Sequence, residues 1–90
     1  MSLHITTSLM FSDATPHTAR EEDGTWAVSW LPGRRLDREQ AVSAMQIAVT
    51  SSSVEPGNLN WLHLDGWAQE LGLGPAEAVA MASRPPEGTP

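Results

Sequence analysis

The sequence predicts a small α+β domain: an N-terminal antiparallel β-hairpin followed by three α-helices, in the order ββααα. Three observations predict it. Leu3 to Phe11 and Thr25 to Leu31 alternate with period two and contain β-branched and aromatic side chains, which is the strand pattern. From Asp37 onward the apolar residues recur at helical spacing. Gly, Pro and Ser clusters divide that helical region into three parts.

The first strand places Ile5, Thr7, Leu9 and Phe11 on one face, and His4, Thr6, Ser8 and Met10 on the other. Ser12 to Gly24 is polar and reads as a mobile loop over residues 12–24. In the second strand Trp26, Val28 and Trp30 share a face, expected to look the same way as Ile5 to Phe11. Pro32-Gly33 ends that strand, because proline cannot donate to a ladder and Pro-Gly favours a turn.

Asp37 is a helix N-cap, and Gln40 three residues on completes a capping box. The helix should run from Arg38 to about Thr50. Ala41, Val42, Ala44, Met45, Ala48 and Val49 form its apolar side, Ile47 falls just outside, and Ser43 lies opposite. Ser51 to Gly57 reads as a linker. A second helix is expected from Leu59 to Leu71, capped by Asn58 or Asn60, with Trp61, Leu64, Trp67, Ala68 and Leu71 as its buried stripe. Gly66 in its interior invites close approach of another element. Gly72 is a left-handed C′ residue. Gly74-Pro75 opens a third helix ending near Ser83, with Ala76, Val79, Ala80 and Ser83 in one row and Ala78 and Met81 beside it. The reading is one domain over residues 1–84 and a disordered tail over 85–90. The incompletely covered sheet invites strand pairing, and a homodimer would enlarge the core.

Composition narrows the function. The chain has 90 residues and no cysteine, which removes disulfides and thiolate chemistry. No apolar run has the length of a membrane helix, and no basic region precedes an apolar segment at the N-terminus. A cytoplasmic location with no membrane partner is expected. Five basic residues, all arginine, stand against eleven acidic ones, a formal net charge of −6. Polyanion binding is driven by cationic side chains, so nucleic acid is not the expected partner.

The chemical motifs are missing as well. His4, His17 and His63 form no ligand pair, and no metal or cofactor is expected. Ser51 to Ser53 stand in no nucleophile elbow, and Glu21, Glu22 and Asp23 are adjacent in a polar stretch. No phosphate-binding glycine motif occurs, so the chain does not read as an enzyme. Ala68 to Leu73 has the offsets of a helix–turn–helix, making segment 60–83 the alternative, a DNA-binding regulator. Its would-be reading helix, Pro75 to Ser83, has no Arg, Lys, Asn or Gln. An acidic mimic of nucleic acid is a third reading, weakened by the scatter of the acids.

The candidate partner-binding residues are Trp30, Arg34, Arg35 and Arg38. Trp and Arg dominate interface hot spots, and Trp30 is the tryptophan nearest the arginine-bearing turn. Trp26, Trp61 and Trp67 read as core.

The segment Thr25 to Ala48, with Ser29-Trp30-Leu31-Pro32-Gly33-Arg34 and Leu36-Asp37-Arg38-Glu39-Gln40-Ala41, resembles a group of small actinobacterial proteins. So does Trp67-Ala68-Gln69-Glu70-Leu71-Gly72-Leu73. Some of those proteins belong to phage or integrated elements. The resemblance covers about half the chain and carries no catalytic motif; it implies a bacterial intracellular setting. The resulting expectation is a small acidic, non-enzymatic binding or adaptor protein acting through protein–protein contacts.

Overall fold

The computed structural model describes residues 3–31, 33–53 and 61–84. It is an α+β domain with four strands and three helices: β1 (Leu3–Ile5), β2 (Leu9–Ser12), β3 (Thr15–Glu22), β4 (Thr25–Val28), α1 (Arg38–Ser53), α2 (Trp61–Glu70) and α3 (Pro75–Ala82). The strands form one antiparallel meander in the order β1-β2-β3-β4. The expected ββααα is therefore corrected to ββββααα.

The first correction is that Leu3 to Phe11 is not one strand. The chain turns at Thr6, whose N–H donates to the Leu9 carbonyl at 2.8 Å and whose Oγ1 accepts the Leu9 N–H at 3.0 Å. The turn pairs Ile5 with Met10, so the inward face changes from odd to even positions. Met10 and Ser12 are buried, while Phe11 is exposed. β-Branched threonine favours strands, and its hydroxyl also makes turns. The run Thr6-Thr7-Ser8 satisfies both descriptions.

The second correction concerns residues 12–24, expected to be a mobile loop. They hold the end of β2, a turn at Asp13-Ala14, and all of β3. The Ser12 Oγ accepts the Ala14 N–H at 3.0 Å and holds the turn. Met10 pairs with Ala19 and Ser12 with Thr15, so β3 is longer than β2 across this stretch. The irregularity falls opposite Pro16, which has no N–H to give to a ladder. At the far end, Glu22 pairs with Thr25 around Asp23-Gly24, with φ of 52° and 81°. Positive φ at both central residues is the type I′ hairpin turn that Asp-Gly favours.

α1 is the centre of the molecule and packs against every strand and both other helices. Its capping box forms as expected: Gln40 N–H donates to Asp37 Oδ1 at 2.8 Å, and Asp37 N–H to Gln40 Oε1 at 3.0 Å. Central placement narrows the expected polar side, Glu39, Ser43, Gln46 and Thr50: Glu39 is exposed and Gln46 and Thr50 are half-buried, but Ser43 is buried and Ile47 fully so. The helix also continues to Ser53, into the expected linker. Trp26, Val28 and Trp30 are buried with Ala41, Ala44, Met45 and Ala48, as the hairpin face predicts. The small alanines let sheet and helices approach α1 closely, which tight packing of a small core needs.

α2 ends in a Schellman motif: Leu73 N–H donates to Ala68 O at 2.9 Å and Gly72 N–H to Gln69 O at 3.0 Å. Gly72 has the left-handed φ of 73° that this requires. Leu64, Ala68 and Leu71 are buried and Trp67 is half-buried, but Trp61 is 46% exposed, against expectation. α3 starts at the Gly74 cap with Pro75 at its beginning. Its buried residues are Ala78 and Ala82, so the expected row Ala76, Val79, Ala80 and Ser83 is one position out of phase. Pro32, the cap alternatives Asn58 and Asn60, the start at Leu59, the Glu55-Pro56-Gly57 linker and the 85–90 tail lie outside the described residues.

Candidate partner-binding surface

The arginine-bearing loop is built from the backbone outward. After β4, Leu31 N–H returns to Val28 O at 2.9 Å and Arg34 N–H to Leu31 O at 3.3 Å. Leu36 then rejoins the sheet edge. Its N–H donates to Trp26 O at 3.0 Å, and Trp26 N–H donates to Leu36 O at 2.8 Å. This antiparallel bridge occupies the outer edge of β4 at Trp26. Leu36 is 2% exposed, so it anchors the loop in the core.

Trp30 is the second anchor. Its indole N–H donates to the Ala44 carbonyl at 3.1 Å, and the side chain is only 4% exposed. Of the candidate residues it is the one that faces inward. Arg34, Arg35 and Arg38 are exposed. Two of these arginines are carried by the loop, and Arg38 opens α1. The structure thus brings the arginines to one corner and puts Trp30 beneath, buried and bonded to α1.

Two concavities flank that corner. One, of about 240 Å³, is lined by Glu22, Thr25, Trp26, Gly33, Arg34 and Arg35. The other, of about 400 Å³, is lined by Ile5, Thr6, Thr7, Glu21, Trp26 and Arg38. Trp26 lies between them and lines both. Arg35 Nη1 donates to Thr25 Oγ1 at 3.4 Å, a long contact that leaves most of its donors open. Among the described residues, none of the three arginines has an ion-pair partner. Acids stand close by all the same: Glu21 and Glu22 line the concavities, and Asp37 and Glu39 flank Arg38 in sequence. The corner is of mixed charge, not uniformly basic.

The histidines go to three separate elements. His4 on β1 stacks on Phe11, with ring centroids 5.0 Å apart. His63 on α2 meets Trp67 at 5.8 Å. His17 on β3 is 1% exposed; its Nδ1 is 2.9 Å from Ser29 Oγ and its Nε2 is 2.9 Å from the Ala82 carbonyl. A carbonyl can only accept, so Nε2 carries a proton and donates. Ser29 Oγ also accepts the Thr18 N–H at 3.0 Å. The serine–histidine pair is thereby committed to joining β3, the loop after β4 and the end of α3. Sequence reasoning missed this role because it placed His17 in a loop. The Asp23-Gly24 turn pair that follows was the available signal for this strand.

Among the described residues no group of three or more His, Asp or Glu is placed to hold a metal ion. No helix among them is long and apolar enough to cross a membrane. The segment with helix–turn–helix offsets folds, from Trp61 on, as α2 and α3, and α3 carries no basic residue and turns Ala78 and Ala82 into the core. Compared with protein-family models, curated proteins and solved structures, the chain matches none.

Proposed function

We propose that this protein is a non-enzymatic binding domain, an adaptor that engages a protein partner through the corner formed by Arg34, Arg35 and Arg38. One observation carries the reading. Three exposed guanidinium groups without ion-pair partners among the described residues rim two concavities that share Trp26. Arginine presents a planar fork of donors suited to carboxylates, and it is enriched at protein interfaces. The corner is held in place by the Leu36 bridge and the Trp30 indole, so little ordering is required on binding.

The mixed charge favours a protein over a nucleic acid. Glu21 and Glu22 beside the arginines oppose a uniform polyanion and suit a segment of alternating charge. The same argument ranks the DNA-binding alternative lower, together with the lack of basic residues on α3. A bacterial cytoplasmic setting, as the resemblance implies, fits both readings. Self-association is an additional property of this reading. β1 is a sheet edge, and Ile5 on it and Phe11 on the neighbouring β2 are 40% and 39% exposed.

The test compares tagged wild type with an Arg34→Glu/Arg35→Glu/Arg38→Glu variant as baits in bacterial lysate, with and without nuclease. All three positions are exposed, so the variant should fold, and its circular dichroism checks this. A protein recovered by wild type, lost with the folded variant and indifferent to nuclease supports the proposal. Recovery that disappears on nuclease treatment overturns it in favour of nucleic acid. Equal recovery by both baits moves the site elsewhere.

A further inference from the structure

The solvent side of α2 has a composition that its own fold does not explain. Leu64, Ala68 and Leu71 face the core, so the opposite side is centred on Leu62, Gly66 and Gln69, within about 60° of one another around the axis. Leu62, on this face, is 85% exposed. Gly66 lies one turn beyond Leu62. A Cβ built there meets nothing within 4 Å, so no element among the described residues requires the glycine. Leu62 and Gln69 therefore bracket a gap about 10 Å long on an exposed helix, from the rise per residue. An exposed leucine next to a missing side chain is a ridge and groove for a crossing helix.

We propose that this face of α2 docks a cationic amphipathic helix of a partner protein, which crosses close over Gly66 with an apolar side chain against Leu62. Charge complementarity selects that occupant. α2 carries Asp65 and Glu70, one on each side of the Leu62–Gly66 line, and no Arg or Lys. Asp65 is held on the surface by Gln69, whose Nε2 donates to its Oδ2 at 3.1 Å. A second copy of this chain would bring the same acids and the same net charge of −6 against them. Basic residues beside the apolar stripe of the incoming helix would meet both carboxylates, the helix-in-groove mode with a charged rim. With the arginine corner, the domain then has two docking surfaces of different chemistry, as an adaptor needs.

The probe is an 18-residue helical peptide of leucine and lysine with one apolar stripe; the control is its leucine/glutamate counterpart. Binding to the full chain is followed by titration calorimetry and by amide chemical shifts. Leu62→Gln, Gly66→Ala and Gly66→Leu all leave the net charge unchanged. Wild type should bind the lysine peptide with shifts concentrated on α2. Leu62→Gln and Gly66→Leu should each weaken binding at least tenfold. Gly66→Ala should raise the melting temperature while weakening binding, a split that a purely structural role for Gly66 would not give. Affinity that follows salt but ignores all three substitutions overturns the proposal, as does equal binding of the glutamate peptide. Dimerisation by sedimentation that Leu62→Gln abolishes overturns it in favour of a second copy. Stronger binding after residues 54–60 are replaced by a Gly/Ser linker overturns it in favour of the chain's own segment. Loss of peptide binding in the arginine-corner variant would instead place the peptide at the other surface.

Discussion

His17 and Ala82 are 65 positions apart and joined by one hydrogen bond, from Nε2–H to the carbonyl oxygen at 2.9 Å. The bond ties an inner strand of the sheet to the last residue of α3, and Ser29 on the other ring nitrogen brings in the loop after β4. Removing the ring leaves the half-buried Ser29 hydroxyl and the buried helix-end carbonyl of Ala82 without this partner. His17→Leu should therefore destabilise the domain by about 2–3 kcal/mol, the cost of stranding buried polar groups. Urea denaturation measures it. A loss below about 0.5 kcal/mol, typical of surface changes, would mean that the clip is incidental.

Gln40 joins two helices as well as capping one. Its Oε1 accepts the Asp37 N–H at 3.0 Å, and its Nε2 donates to the Glu70 carbonyl at 2.9 Å. Asp37→Ala removes a cap and should cost about 1 kcal/mol. Gln40→Ala should cost a similar amount, about 1 kcal/mol, through the lost hydrogen bonds. The double variant should cost less than the sum, because the two side chains share the box. Strict additivity in thermal melts would show that the reciprocal contacts do not form in solution.

The Asp23-Gly24 turn separates backbone conformation from side-chain chemistry. Gly24 has φ of 81° and open space where a Cβ would stand, so Gly24→Ala tests the backbone alone. It should destabilise by about 1 kcal/mol, within the range for a left-handed L-residue. Asp23→Asn should be nearly neutral, since asparagine also adopts positive φ. Equal losses for the two variants in chemical denaturation would argue against the type I′ geometry.

Tryptophan emission reports the core directly. Trp26 and Trp30 are each 4% exposed, whereas Trp61 is 46% exposed. Trp61→Phe should remove most of the acrylamide-quenchable emission and leave a blue-shifted, weakly quenched spectrum. A variant whose quenching matches wild type would place Trp61 inside, against its exposure at the start of α2.

The local rules of this chain were legible without its tertiary structure. The Asp37–Gln40 capping box, the Schellman end at Gly72, the Gly74-Pro75 start of α3 and the buried Trp26-Val28-Trp30 face depend on residues within a few positions of one another. β3 was not legible by hydropathy because its inward residues are Thr15, His17 and Ala19, a polar or small set that gives no apolar alternation. The Asp23-Gly24 signal for its turn was present but was outweighed by the charged run before it.

The candidate surface divides in the same way. The arginine cluster was visible as adjacency in sequence, whereas the inward turn of Trp30 was decided by the Ala44 carbonyl it meets on α1. By itself the sequence determined the three helices, the Asp37–Gln40 cap, the Gly72 end of α2, the Gly74-Pro75 start of α3 and the apolar second hairpin arm, because caps, turns and period are local free-energy terms. Only the tertiary structure decided which polar residues lie inside, since burying His17 or Ser43 is favourable only where a partner or a packed neighbour stands ready. It also decided which apolar residues stay outside. Leu62 is as hydrophobic as Leu64, but α2 has one side against the core, and the position of Leu62 on the helix turns it away from that side.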